Sequence, residues 1–455
     1  MAEEKINTPF IYRYLANVVL EAATPLSVGS GQKSIMTDAT VMADANGLPY
    51  IPGSTLSGIL RHAQNAETAN EVFGYQNHQK PKESKGSEII ISDARIIGPE
   101  GEVLDGLLPA VEGEFYRHFQ NLPIRQRVRI GAKGSTEKGG KFDRQVVYKG
   151  TRFLFEIEMV AKDRCENTFN EILNELYDKT FRIGGNTRTG LGEVKVVACS
   201  TLELNLTNAD DLKKYITHTS KLSVNKDGFR TFVPKASAKG EWVNYELNLE
   251  AESFFLFSSG FGNERADNTA VTETVIEWRQ GKPEFKQNNI LIPASSVKGA
   301  LAHRVAYYYN QSTGYFATKE HVADKNRENL AVTALFGRAK DEEQTRGNVL
   351  FSDVIEVNPN GWQKKIFNHV SIDQFTGGSV DAALFSEEAV WKEGTGFVLK
   401  LWVNKKALED KDIETAFDKA LLDVCTGMLS LGGATNKGYG AFIGKLTKDG
   451  KELTA

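Results

Sequence analysis

Apolar and β-branched residues crowd Tyr14–Thr24 (YLANVVLEAAT), which predicts a strand that stops at Pro25 and the glycines at 29 and 31. Asp38–Met42 predicts a second short extended piece. Pro52-Gly53-Ser54 then opens a helix, with Ser54 as its expected N-cap and Leu56, Ile59, Leu60 and Ala63 on one face. Glu88–Ala94 and Val146–Lys162 predict further strands. Glu166–Tyr177 predicts a helix that turns Phe169, Ile172, Leu173 and Leu176 inward. A glycine-rich turn follows at Gly184, then a closing strand over Gly192–Leu202.

The same pattern returns in the second half. LEA at Leu20 recurs at Leu249, IPGSTLSG at Ile51 as IPASSVKG at Ile292, and VFG at Val72 as LFG at Leu335. IIISDA at Ile89 recurs as VLFSDV at Val349, and GGNTRTGLG at Gly184 as GGATNKGYG at Gly432. A longer stretch starting at Arg127 (RVRIGAKG…VVYKGTRF) recurs from His369 (HVSIDQFTG…AVWKEGTGF). The offsets run from 229 (Leu20 to Leu249) to 263 (Val72 to Leu335), always in one order, so the chain is a tandem duplication. The second copy predicts helices over Ser295–Tyr309 and Asp412–Leu429. Strand, helix, strands, helix, strand is the order of a ferredoxin-like or RRM-like sheet with insertions. The expected fold is therefore α+β: a first module over 1–204, a polar linker with one short helix over 205–239, and a second module over 240–455.

Composition narrows the function classes. The chain has 455 residues, a net charge of −4 and no apolar run long enough to span a membrane, which argues against indiscriminate polyanion binding and for an intracellular, cytoplasmic protein. Cys165, Cys199 and Cys425 fit neither a disulfide framework nor a zinc spacing.

Four features could carry chemistry. The first is the start of each repeated helix, where open backbone N–H groups and a positive dipole end suit a phosphate: Gly53 and Ser54 with Arg61, and Ser295 and Ser296 with Lys298 and Arg304. A plain capped helix is the competing reading. The second is the pair of glycine-rich loops, with Gly185 and Arg188 in one and Gly433 and Lys437 in the other; a tight turn before a strand is the alternative. The third is Arg125–Arg152, which holds nine Lys or Arg residues against two acids, Arg125, Arg127, Arg129 and Lys133 among them. A basic hairpin of this kind attracts a phosphate backbone, unless it is a solvated surface loop. Its second copy is acidic instead, with Asp381, Glu387, Glu388 and Glu393. The fourth is Asp38, a lone carboxylate after a glycine-bearing turn, able to position a divalent cation or accept a proton from a 2′-hydroxyl, or simply to cap a turn. His62 and His303 coincide across the repeats without a partner at ligand spacing, and read as packing residues.

Together TPLSVGSG, DATVMAD with GLPYIPGSTLSGILR, RVRIGAKG…VYKGTRFLFEIEM and GGNTRTGLGEVKV resemble the RAMP superfamily, the backbone subunits of type III CRISPR effector complexes. ILIPASSVKGAL, the stretch from His369 and LGGATNKGYGAF carry the likeness through the second half. Two modules in one chain look like the fused double subunit of variant type III-D complexes. The resemblance implies an RRM-like palm with a β-hairpin thumb in each module. It implies a guide CRISPR RNA, a single-stranded target RNA, and other RAMP backbone and large subunits as partners. It also implies metal-dependent cleavage (Mg2+ or Mn2+) supported by the Asp that matches Asp38. Aligning TVM at Thr40 with TVI at Thr274 puts Thr272 opposite Asp38, so a second cutting site rests on Asp267 or, less well, Glu273. The chain is thus expected to be an endoribonuclease subunit. Its rivals are a non-catalytic RNA scaffold and a duplicated structural protein without RNA.

Overall fold

The computed structural model describes residues 9–35, 37–131, 136–222, 227–235, 240–315, 329–338, 345–356, 362–391, 394 and 396–454. In the first half, β1 (Tyr12–Ala22) lies at the centre of an antiparallel sheet. Next come α1 (Gly53–Ala63), β2 (Ile89–Ile91), a hairpin of β3 (Ile124–Ile130) and β4 (Thr136–Gln145), β5 (Arg152–Ala161), α2 (Glu166–Glu175) and β6 (Val194–Asn205). The sheet order is β2-β5-β1-β6. Strand β5 shows why: Phe153, Phe155, Ile157, Met159 and Ala161 take every second position and all turn inward, while the residues between them are only partly buried. Leu56 and Leu60 of α1 and Phe169, Ile172 and Leu173 of α2 close the same core.

The second half repeats this order with one inserted hairpin. It has β7 (Trp242–Ala251), a long hairpin of β8 (Thr272–Arg279) and β9 (Lys282–Ile292), α3 (Ala294–Ser312) and β10 (Val349–Phe351). A second hairpin of β11 (Gln363–His369) and β12 (Phe385–Trp391) follows, then β13 (Phe397–Asn404), α4 (Lys411–Cys425) and β14 (Phe442–Lys448). The sheet order β10-β13-β7-β14 matches the first, strand for strand. Each half buries its own core.

Several expectations need correction. Helix α1 starts at Gly53 after Pro52, so Ser54 is not its cap and makes no side-chain capping bond. His62 and His303 are exposed rather than packed. The hairpin β8–β9 reads in sequence as a return of the Asp38 strand, but it is an arm that crosses to the first half. There Trp278 Nε1 donates to the Gly150 carbonyl at 2.7 Å and Phe285 stacks on His118 at 3.9 Å. The segment after β6 carries one helix (Ala209–Thr217), which folds back onto the first sheet through Tyr215 Oη and Glu158 Oε1 at 2.6 Å. No helix among the described residues is long and apolar enough to cross a membrane.

Candidate nucleic-acid interface

After the central strand of each half, the chain makes a loop tied the same way twice. Gly29 bridges Val41, Thr40 donates its N–H and Oγ1 to the Gln32 carbonyl (3.3 and 3.2 Å), and Met42 N–H reaches Val28 at 2.8 Å. In the second loop Ser258 bridges Ala270, Thr269 donates its N–H and Oγ1 to Phe261 (3.1 and 3.3 Å), and Val271 N–H reaches Phe257 at 2.7 Å. These pairs keep the offset of 229 that relates Leu20 to Leu249. Asp38 therefore stands where Asp267 stands, and the expected alignment with Thr272 is wrong. Both carboxylates grip the second strand of the neighbouring hairpin. Asp38 Oδ2 accepts the Asp143 N–H at 3.1 Å; Asp267 Oδ2 accepts the Ser386 N–H at 2.8 Å and the Ser386 hydroxyl at 2.9 Å. Those Ser386 donors, backbone first, hold the Asp267 carboxyl below its ordinary range. Glu273 lies elsewhere, bonded to Arg125.

The helix starts are occupied by the protein itself. The Gly53 N–H donates to Asp93 Oδ1 at 2.9 Å, and the Ala294 N–H to Asp353 Oδ1 at 2.8 Å. An internal carboxylate thus takes the place expected for a phosphate in both copies. Gly53 is needed for a different reason: a Cβ there would run into the Ile91 carbonyl. Ser54 and Ser296 are exposed on the first turns, Ser295 half-buried.

Alternation along the strand puts Arg125 and Arg127 on one face of the basic hairpin, and what each meets there differs. Arg125 is buried between the halves, joined to Glu273 and, at 2.7 Å, to Asp353. Burial alone would lower its pKa; Asp353 and Glu273 reverse that and raise it. Arg125 is thus a structural tie rather than an RNA contact. Its neighbours meet neutral oxygens instead. Arg127 donates to Thr189 Oγ1 at 2.6 Å, Arg144 to Ser27 Oγ at 3.2 Å, Arg188 to the Gly347 carbonyl at 2.7 Å and Lys298 to the Phe336 carbonyl at 3.0 Å. Burial, then the fields of Arg188 and Arg127, push Lys298 down to about 8. Burial also lowers Arg127 and Arg188 to about 10. The seam between the halves is a half-buried cationic cluster without a carboxylate for each charge.

The glycine-rich loops occupy equivalent places: Gly185 N–H donates to Ser27 at 2.8 Å and Gly433 N–H to Leu256 at 2.7 Å. Those two N–H groups are spent inside the fold and are not ligand donors. Lys437 pairs with Glu387 at 2.9 Å, and Lys364 pairs with Glu388 at 3.3 Å. Of that segment's acids, Glu387 and Glu388 are thus buried in internal pairs, Asp381 is exposed, and Glu393 lies outside the described residues. Arg61 is exposed, bonded to Asn70 at 3.1 Å, beside a shallow concavity of about 640 Å3 that Tyr75 and Lys85 also line. Arg129 is exposed on β3, and Lys133 lies outside the described residues. Among the described residues no group of three His, Cys, Asp or Glu side chains could hold a metal ion.

Sequence reasoning passed over Asp93, Asp353, Arg144 and Asp143. The recurrence of S-D at Ser92 and Ser352 was visible, but that its carboxylate caps a distant helix was not. The offset of 229, carried on without a gap, would have paired D-A-T at Asp38 with D-N-T at Asp267.

The family model described as RAMPs, the RAMP superfamily, matches residues 19–195 and again 269–443. No curated protein matches the chain.

Proposed function

The chain belongs to the RAMP superfamily, and on that premise we propose that it is a guide-RNA-binding backbone subunit of a type III CRISPR effector complex that also cuts its target RNA. Membership supports a CRISPR-associated RNA-binding subunit, and the doubled match a tandem one. The finer reading is ours: two ferredoxin-like palms, each with a hairpin thumb, fused as in variant type III-D complexes. The observation that carries it is the pair Asp38 and Asp267, held in equivalently tied loops against the second strand of each hairpin, in a protein whose seam cations donate to neutral oxygens.

RNA phosphates would lie along Arg127, Arg144, Arg188 and Lys298, where each relieves the repulsion between neighbouring cations. Asp38 and Asp267 would accept the proton of a 2′-hydroxyl as its oxygen attacks the adjacent phosphorus and the 5′-oxygen leaves. Mg2+ binds through one or two carboxylates together with substrate phosphates, and Asp38 would supply one such carboxylate. Such an ion stabilises charge on the phosphoryl oxygens when bound.

Product ladders from wild type, Asp38→Ala, Asp267→Ala and the double variant test this reading. Each single variant should lose one product, with a rate loss of roughly 10²–10⁴-fold and RNA affinity intact. If Asp38→Ala leaves every product at its wild-type rate, the chain is a scaffold and the nuclease reading fails.

A further inference from the structure

The first hairpin has a second face, turned away from its arginines. Gln126 and Asp143 stand directly opposite one another across β3 and β4, so their side chains share that face. The loop residues Asp38 and Ala39 run alongside β4: Ala39 bridges Arg144 in parallel, and Asp38 Oδ2 takes the Asp143 N–H. Gln126, Asp143 and Asp38 therefore form one cross-strand row of oxygen-bearing side chains. Two of its oxygens, Gln126 Oε1 and Asp143 Oδ1, are shielded from solvent and meet no hydrogen-bond donor among the described residues. Buried acceptors are rarely left that way. A hard cation is the partner that satisfies several oxygens at once, and carboxylate and amide oxygens are its usual ligands.

The second half supplies the contrast. The same register places Asn368 opposite Ser386, with Asp267 beside them. Here Ser386 Oγ donates to Asp267, Asn368 is exposed, and none of the three leaves a buried oxygen unpaired. One carboxylate and a hydroxyl stand where the first half has two carboxylates.

We propose that Gln126, Asp143 and Asp38 form a divalent-cation site confined to the first half, in which Gln126 and Asp143 are further ligands beside the reactive loop. The proposal rests on reading Asp38 as a reaction-site residue, but binding of the ion needs neither RNA nor cleavage. The first site would be charged with metal before RNA arrives. The second would gather its ion only together with an RNA phosphate.

The test is Mn2+ titration of the RNA-free full chain, followed by the electron paramagnetic resonance signal of unbound Mn2+. Wild type and Asp267→Ala should show one site of equal affinity. Asp143→Ser, Asp143→Asn and Gln126→Leu should each weaken it at least tenfold while keeping the thermal transition of wild type. Ser386→Asp with Asn368→Gln should add a second site. Unchanged Mn2+ occupancy in the Asp143 variants overturns the proposal. Unchanged occupancy in Gln126→Leu alone, with the amide simply bonded to Asp143, overturns the part assigned to Gln126. Cleavage lost in Asp38→Ala together with unaltered Mn2+ binding in Asp143→Ser would sink this site and leave the nuclease reading standing; the opposite pattern would do the reverse.

Discussion

An ammonium group half-buried beside two guanidinium groups is held against its own chemistry. Lys298 keeps its place because its Nζ donates to the Phe336 carbonyl. With its pKa near 8 rather than the ordinary 10.5, the folded protein binds fewer protons than the unfolded chain between those values. Stability should therefore rise with pH across that window. RNA binding should run the other way, since a phosphate favours the charged form. Affinity for a single-stranded RNA should be flat below pH 8 and then fall by up to roughly tenfold per pH unit. Arg127 and Arg188, near 10, stay charged until higher pH. Fluorescence anisotropy from pH 7 to 9.5 on wild type and Lys298→Met measures this; the variant should bind more weakly and lose the pH dependence. The double variant Arg188→Ala with Lys298→Ala should also flatten the salt dependence, by a log–log slope of about 0.7 for each phosphate no longer neutralised.

At the scale of elements, both helix starts depend on a carboxylate from a distant strand turn. The two caps differ in what else they hold. Asp93 is partly exposed and shares its charge with Arg95 at 3.0 Å. Asp353 is buried and also carries Arg125. Asp93→Ala should cost about 1 kcal/mol, the usual loss of a cap. Asp353→Ala leaves a buried guanidinium short of a partner and should cost about 3–5 kcal/mol. Gly53→Ala should cost about 1–3 kcal/mol, because the added methyl must displace the Ile91 carbonyl. Chemical denaturation of the three variants checks the ranking, and equal losses for the two caps would contradict it.

At the scale of the molecule, the halves are joined by polar contacts as well as by the β8–β9 arm. The Gly190 carbonyl accepts the Asp353 N–H at 3.2 Å, and Gly190, at φ +104°, sits so close to Asp353 and Ala294 that no Cβ would fit. Arg125 is the hub, one cation against two carboxylates. Arg125→Ala should leave Glu273 and Asp353 facing each other and cost about 3–5 kcal/mol. Calorimetry should then resolve two unfolding transitions, one per half. A single transition at the wild-type temperature would show that the arm alone couples them.

The duplication, the order of elements in each half and the equivalence of the glycine-rich loops were all legible in the chain, because period-two and helical patterns and repeated short motifs are local. Asp38 was singled out through the family resemblance of the residues around it rather than through a local pattern. What each charge does was not legible. Arg125, Arg127 and Arg129 look alike in sequence, yet one is buried in an ion triad, one donates to a threonine in the seam and one faces solvent. Their roles depend on which distant residues arrive opposite them: Glu273 and Asp353 of the other half for Arg125, Thr189 of the same half for Arg127. The match of Asp267 to Asp38 was hidden by the inserted β8–β9 arm, whose TVI imitates TVM. The hydrogen bonds of the two loops show that the offset of 229 carries on through them, and they add what the sequence does not show, the grip of each carboxylate on a strand more than a hundred residues away.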